Sequence, residues 1–185
     1  KMHEAFVSDS ATTEIDPNDV WNWYNQADAQ QSLGNYDLAL PLLMHALQID
    51  PQHANSWAKQ GQILRQQGRH QEAMTAYGHA VRLEPSYGWA HNGLGLAQKT
   101  LNLPKEALLS FKRATKFQPD EVWHWYNLAE MLLELRQYQE ALDAATEATR
   151  VNPEHAPSWG KLGQVLRYLK RHDEALKAYD RAVEI

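Results

Sequence analysis

The sequence contains no cysteine, no long apolar run and no excess of basic residues. Without cysteine the chain can form neither a disulfide, nor a thiolate metal site, nor a cysteine nucleophile. No segment approaches the ~20 apolar residues needed to cross a bilayer, and no signal-peptide pattern is present, so we expect no membrane insertion and a cytoplasmic location. The net charge is −5 with both signs interspersed, whereas nucleic-acid binding needs clustered basic residues, so we expect no nucleic-acid partner.

Signatures of catalysis and of cofactor binding are also missing. The glycine-rich segment GLGLAQKT at 93–100 lacks the Gly-Lys-Ser/Thr order of a phosphate-binding loop. The nine histidines are never three or four residues apart, so no helix face offers a ready-made metal-binding pair. No Ser-His-Asp set or carboxylate pair is singled out by its setting. We therefore expect a protein that is not an enzyme and needs no cofactor or metal.

What the sequence does contain is a repeat. Prolines fall every 34 residues, at 17, 51, 85, 119 and 153. With Val20 as position 1 of the first repeat, positions 8, 20 and 27 are always Ala or Gly, and position 24 is large in four repeats of five. Positions 4, 7, 8 and 11 form one stripe of a helix, and positions 20, 24 and 27 form one stripe of a second helix. Small residues let the two backbones approach closely, and the proline at position 32 ends the second helix.

This pattern resembles the tetratricopeptide repeat (TPR) family over residues 20–185. The resemblance implies an all-α solenoid, a right-handed superhelix of helix-turn-helix repeats. Its repeats would span 20–53, 54–87, 88–121, 122–155 and 156–185. Residues 1–19 would form a lead-in and the second helix of a preceding repeat, read from 4–17. The chain stops just before the next expected proline, so we expect it to be a segment of a longer protein.

Two residues depart from the repeat pattern. His91 replaces the usual tryptophan at position 4, and Ala145 replaces the large residue at position 24. The sequence alone leaves two outcomes open at these sites: looser packing, or filling of the space by neighbouring side chains.

A longer period of 102 residues, three repeats, matches better than 34. Nearly half of residues 20–83 recur unchanged in 122–185, including VWNWYN at 20–25 and VWHWYN at 122–127. The array therefore arose by duplication of a three-repeat block, and a ligand with two like motifs is one hypothesis.

The paired tryptophans need two different explanations. The tryptophan at position 4 belongs to the packing stripe, but the tryptophan at position 2 lies on the opposite side of the helix. In the TPR family this opposite side, with positions 2, 5, 6, 9, 12 and 13, typically lines a concave surface that binds peptides. The resemblance thus implies the following peptide-binding residues: Trp21, Tyr24, Asn25, Asp28, Lys59, Gln62, Arg65, Trp89, Asn92, Trp123, Tyr126, Asn127, Glu130, Lys161, Gln164 and Arg167.

The chemistry of this set suits a protein or peptide ligand. Aromatic side chains provide anchors for apolar groups, and asparagine amides can both donate to and accept from a ligand backbone. The lysines and arginines would select acidic groups on the ligand. The lysine–asparagine–arginine clamp by which some TPR co-chaperones hold a terminal carboxylate fits no three-repeat frame of this chain.

Two other functions stay open. The array could assemble with itself into a structural homo-oligomer. It could also be the regulatory or substrate-docking arm of a larger enzyme such as an O-linked glycosyltransferase, whose TPR superhelix carries an asparagine ladder that Asn25 and Asn127 match in part.

Overall fold

The computed structural model describes Asp16 and residues 18–185, which form ten α-helices and no strand. The helices are α1 Val20–Ser32, α2 Tyr36–Ile49, α3 Ala54–Gln66, α4 His70–Leu83, α5 Gly88–Thr100, α6 Pro104–Phe117, α7 Val122–Glu134, α8 Tyr138–Val151, α9 Ala156–Tyr168 and α10 His172–Glu184. The helix predicted over 4–17 falls, apart from Asp16, outside the described residues.

The chain divides into two compact units, Lys1–Pro51 and Gln52–Ile185. In the first unit α1 packs against α2. In the second unit α3 to α10 form four pairs of successive helices, and the second helices α4, α6 and α8 also contact the first helix of the next pair. Within this unit the first helices α3, α5, α7 and α9 touch one another in turn, whereas the second helices do not. The first helices therefore form the more closely spaced layer, and the all-α repeat solenoid is confirmed.

The two helices of a repeat meet where position 8 is small and position 24 is large. A Cβ placed on Gly61 would lie 2.9 Å from the ring of Tyr77, and one on Gly95 would lie 2.7 Å from the ring of Phe111. Such distances are too short for carbon atoms, so each ring occupies the space that a side chain at position 8 would need. The buried alanines at position 20 let the backbones come this close. This confirms the role predicted for the small residues.

In the fourth repeat Ala145 stands at position 24, where three other repeats carry an aromatic ring. Its own repeat carries Ala129 rather than glycine at position 8, so a methyl group returns where the ring is lost. Both alanines are fully buried in a cluster with Leu128, Leu132 and Leu166. Of the two outcomes left open by the sequence, filling by neighbouring side chains is the observed one.

The turn inside each repeat requires a left-handed residue. At position 15 the backbone φ lies between +59° and +77° in all five repeats, at Gly34, Gly68, Asn102, Arg136 and Lys170. The next N–H then reaches back to the first helix, as in the bond from the Arg171 N–H to the Leu166 carbonyl at 3.0 Å. This arrangement closes a helix most easily with glycine, because other residues place their Cβ against the backbone.

The second helices end where the prolines predict. In the first four repeats the residue at position 31, directly before the proline at position 32, has a backbone φ between −128° and −138°. A residue that precedes proline disfavours the helical conformation, so the helix must stop one residue earlier. These prolines thus set the 34-residue period in the structure as well as in the sequence.

The turn geometry predicts opposite effects for the same substitution at two exposed lysines. Lys170→Gly should raise the free energy of unfolding by about 1 kcal/mol, because it relieves a left-handed φ. Lys177→Gly, in the middle of α10, should lower it by about 1 kcal/mol, because glycine is a poor helix former. Urea unfolding followed by circular dichroism measures both, and equal signs for the two variants would contradict the interpretation of the turn.

Gly93 and Gly78 form a second matched pair. A Cβ at Gly93 would overlap the buried ring of Tyr77, whereas a Cβ at Gly78 would meet nothing within 4 Å. Gly93→Ala should therefore destabilise the protein by about 1–2 kcal/mol through overpacking, and Gly78→Ala should stabilise it by about 0.5–1 kcal/mol. Adding Tyr77→Leu to Gly93→Ala should recover part of the loss in thermal unfolding. A double variant no more stable than expected from adding the two single losses would show that the ring is not the cause.

Candidate functional site

The tryptophan at position 4 has a structural role. The indole Nε1–H of Trp125 donates to the carbonyl of Pro119 at 2.7 Å, and that of Trp159 donates to the carbonyl of Pro153 at 2.8 Å. Each bond ties the start of a first helix to the proline turn before it. His91 makes the same bond, from Nε2 to the carbonyl of Pro85 at 2.9 Å. His91 is also buried and stacked on a phenylalanine ring, so this departure from the pattern does not loosen the packing.

The tryptophans at position 2 stay half exposed. Trp89 is 45% exposed and Trp123 is 44% exposed, at the starts of the neighbouring helices α5 and α7. Each packs against an imidazole: Trp89 against His124 of the following repeat, with ring centroids 5.0 Å apart, and Trp123 against His155 at the end of its own repeat, at 4.6 Å. These contacts orient the indoles while leaving almost half of their surface exposed to water.

Around Trp123 three rings meet edge to face. Tyr126 lies 5.5 Å from Trp123, and His155 lies 6.2 Å from Tyr126, with the ring planes nearly perpendicular in each pair. Burial lowers the pKa of His155, although the negative charge of Glu121 opposes the shift. In the first unit Trp21 is likewise 46% exposed and packs edge to face against Tyr24. The predicted aromatic residues are thus placed alike in the two units.

Two of the predicted asparagines are joined across neighbouring helices. The side-chain amide of Asn127 on α7 donates to the side-chain oxygen of Asn92 on α5 at 2.9 Å. Asn92 is buried and Asn127 is partly buried. The bond leaves the oxygen of Asn127 and the amide hydrogens of Asn92 with further hydrogen-bonding capacity. Asn25 and Asp28 lie exposed on α1 in the first unit.

The side of the first helices that carries Trp89 and Trp123 is called the first-helix face below. Its charged side chains form a chain of ion pairs across three helices. Glu130 on α7 accepts from Lys99 on α5 at 2.6 Å and from Lys161 on α9 at 3.2 Å. Lys99 also contacts Glu134 at 2.9 Å, and the ammonium of Lys161 lies 5.0 Å from the ring centre of Tyr126. The sequence predicted that Lys161 would face an acidic group of the ligand. In the structure its ammonium already contacts a carboxylate of the chain itself.

The remaining predicted residues lie on α3 and α9. Arg65 is partly buried and interacts with the hydroxyl of Tyr77, where burial raises the tyrosine pKa and the guanidinium opposes the rise. Arg167 is exposed, with its guanidinium 5.6 Å from the ring centre of Tyr168. Lys59, Gln62 and Gln164 are partly buried.

Sequence reasoning missed the histidines that support the tryptophans. His155, which is not among the predicted site residues, packs against Trp123, and its Nδ1 forms a hydrogen bond with the Ser158 hydroxyl at 2.7 Å. The same His–Ser contact recurs between His53 and Ser56. The signal was present, because the string His-Ala-x-Ser-Trp occurs at both 53–57 and 155–159. His124 gave no such signal, since its position carries Asn, Ser or Ala in the other repeats.

Two other kinds of feature are absent from the part of the chain that the structure describes. Within Asp16 and 18–185, no helix is long and apolar enough to cross a membrane. Over the same part of the chain, no three His, Asp or Glu side chains come together in a way that could hold a metal ion.

The burial of His124 predicts a loss of stability at mildly acidic pH. Burial lowers the pKa of His124 to about 4, with only partial opposition from Asp120, whereas an unfolded histidine titrates near pH ~6.5. The unfolded chain therefore binds a proton that the folded chain does not. Stability should be full above pH ~6.5 and fall by up to about 3 kcal/mol as the pH drops towards ~4.

Replacing the buried imidazole isolates its share of this pH dependence. His124→Ser, which copies the buried serines at 56 and 158, should flatten the decline in urea-unfolding free energy between pH ~7 and ~5 relative to the parent. His172→Ser changes an exposed histidine and serves as the control. A decline in His124→Ser as steep as that of the parent would assign the effect to other groups.

Known proteins with the same fold were found by structure comparison. YrrB, described as a TPR protein with an unusual peptide-binding site, is 23% identical with a TM-score of 0.72, over 91% of this chain and 87% of YrrB. MamA from Desulfovibrio magneticus RS-1 is 19% identical with a TM-score of 0.78, over 92% and 95% of the two chains. PilF of Pseudomonas aeruginosa is 18% identical with a TM-score of 0.82, over 89% of this chain and 75% of PilF.

Sequence comparison identifies the family. No curated protein sequence matches the chain. Models of the TPR repeat match residues 61–102, and models of the tetratricopeptide repeat match residues 22–53, 42–75, 92–148 and 126–185. Because these segments together extend from residue 22 to residue 185, the chain belongs to the tetratricopeptide repeat family.

Proposed function

We propose that the chain is a non-catalytic scaffold that binds a protein or peptide segment along its first helices. The observation that carries this proposal is the half exposure of Trp89 and Trp123 on neighbouring helices. The fold does not need either indole at position 2, since the same position carries asparagine in the second repeat and proline in the fifth. Each indole leaves apolar surface in contact with water although packing does not require it, and this supports a role for both indoles in binding.

The energetics favour these two residues as anchors. Burying the exposed part of an indole would contribute about 1 kcal/mol, and a fully buried aromatic side chain contributes about 2–3 kcal/mol. The indoles are already oriented by His124 and His155. Little side-chain entropy is therefore lost on binding, which raises the affinity that a given contact area provides.

The surroundings of the indoles suggest the kind of ligand. The Asn92–Asn127 pair lies on the same two helices and retains donors and acceptors suited to an extended backbone. Apolar ligand side chains would contact Trp89, Trp123 and Tyr126. The corresponding residues Trp21, Tyr24 and Asn25 on α1 extend the proposal to a ligand with two like motifs. The peptide-binding site named for YrrB is a property of that protein, and the shared fold makes a similar use reasonable here.

A matched pair of double variants tests the proposal by capture from cell extract. Trp89→Ala/Trp123→Ala removes both anchors, and we expect the captured partner to fall by about tenfold or more, as for paired aromatic hot spots. Leu109→Ala/Leu176→Ala removes two apolar side chains that are at least as exposed, 52% and 61%, from second helices. This control should capture as the parent does, and circular dichroism checks that both variants are folded.

Two outcomes would contradict the proposal. If the tryptophan variant retains the same partners as the parent, the indoles are packing residues and not anchors. If the parent captures only further copies of itself, self-association becomes the better interpretation. A monomer mass in light scattering that stays constant from micromolar to millimolar concentrations would argue against self-association.

A further inference from the structure

The middle of the first-helix face holds a carboxylate where a ligand's acidic group would be expected. Glu130 uses both of its oxygens: Oε2 accepts from Lys99 at 2.6 Å and Oε1 accepts from Lys161 at 3.2 Å. The two lysines come from α5 and α9, the two other first helices that contact α7, which carries Glu130. Two ammonium groups that converge on one point would bind a carboxylate or phosphate, and here the chain supplies that group itself.

The position of this network makes it accessible to a ligand while keeping it partly shielded from water. Glu130 and Lys99 are 29% and 25% exposed in their side chains, and Lys161 is 10% exposed. The ammonium of Lys161 also lies over the ring of Tyr126, next to Trp123. Tyr126 thus contacts both the Lys161 ammonium and Trp123, which places the network on the same side of α7 as the exposed indole.

The charges of the network stabilise one another despite partial burial. Burial by itself would raise the pKa of Glu130, but Lys99 and Lys161 outweigh it and hold this pKa below its usual value. Burial would likewise lower the pKa of Lys99, but Glu130 and Glu134 outweigh it and raise that pKa. Lys99 and Glu130 thus keep their charges near neutral pH.

We propose that Glu130 is a specificity-determining residue that masks a two-lysine anion site. A ligand carboxylate could reach the lysines only by displacing Glu130, which is tethered beside them at a high effective concentration. Once displaced, Glu130 would repel the same ligand group. The middle of the face therefore rejects acidic residues and accepts uncharged polar or apolar ones, the opposite of the selectivity predicted for Lys161 from sequence. The statement about ligands rests on the proposed binding function, but the masked anion site does not.

Inorganic phosphate tests the masked site without any peptide ligand. The thermal midpoint is measured against phosphate concentration at constant ionic strength, with chloride as the balancing anion. Glu130→Gln, which keeps the shape of the side chain, should show a saturable rise in midpoint of several degrees, because phosphate takes the place of the lost carboxylate. The parent should show no phosphate-specific rise.

The chain offers a close control for this variant. Glu134→Gln removes the same charge from the same helix, one turn later, and from contact with the same Lys99, yet it leaves Glu130 bound to both lysines. It should behave as the parent does. Glu130→Gln/Lys161→Gln should lose the phosphate response, because only one lysine remains. A folded state in chloride is confirmed for each variant by circular dichroism, and if Glu130→Gln does not fold, Glu130→Ala, which also removes the carboxylate, takes its place with the same expected rise.

The outcomes decide between clear alternatives. Equal responses of parent and Glu130→Gln to phosphate, whether flat or rising, overturn the proposal, because Glu130 then controls no anion site. A rise in Glu134→Gln as large as in Glu130→Gln overturns it too, since net charge alone would explain both. The capture experiment on Trp89 and Trp123 does not involve Glu130, so failure of the binding function and failure of the masked site would be seen separately.

A second measurement links the masked site to ligand choice. Fluorescein-labelled hexaglutamate is titrated into the parent and into Glu130→Gln, and anisotropy reports binding. The variant should bind this acidic probe about tenfold more tightly, and a matched hexaglutamine probe should not distinguish the two proteins. Equal affinity of both proteins for hexaglutamate would refute the assigned specificity even if phosphate binding were gained.

Discussion

The close contact between the two helices of a repeat determines what every other residue can do. Where an aromatic ring at position 24 lies on a glycine at position 8, as with Phe111 on Gly95, neither residue can change alone. Where the ring is absent, as at Ala145, the facing residue becomes alanine and leucines of the neighbouring helix fill the space. Interiors of this density tolerate coordinated changes of volume better than single ones.

This contact also divides each first helix into two sides. One side, including Trp125 and Trp159, is fixed by packing and by hydrogen bonds to the proline turns. The other side is free of that constraint, and its residues differ between repeats more than the packing stripe does. The two tryptophans of VWHWYN stand on these two sides: Trp125 ties the helix to the preceding turn, and Trp123 projects half exposed from the opposite side.

Polar contacts connect successive first helices on the side that packing leaves unconstrained. Successive first helices are linked by the Asn92–Asn127 bond and by the Lys99–Glu130–Lys161 chain. These links couple neighbouring repeats on the face proposed to bind, where their polar groups are partly shielded from water and interact more strongly than at an open surface. The same contacts also occupy hydrogen-bonding and charged groups that a ligand would otherwise bind. Which polar groups on this face are already paired within the chain therefore affects which ligands the face can recognise.

Periodicity in the sequence was sufficient to predict the helix pairs, their small-residue contacts and the ends of the second helices, because these depend on side-chain size, helix geometry and proline within one repeat. The side of the helix on which Trp89 and Trp123 lie also followed from spacing alone. The partners of these residues did not. That His124 lies beneath Trp89, and that Glu130 joins lysines from two other helices, depends on how successive repeats are stacked. Distances between residues some 30 positions apart are decided by the tertiary structure, since no local pattern records which side chain of the next repeat will come within a few ångströms.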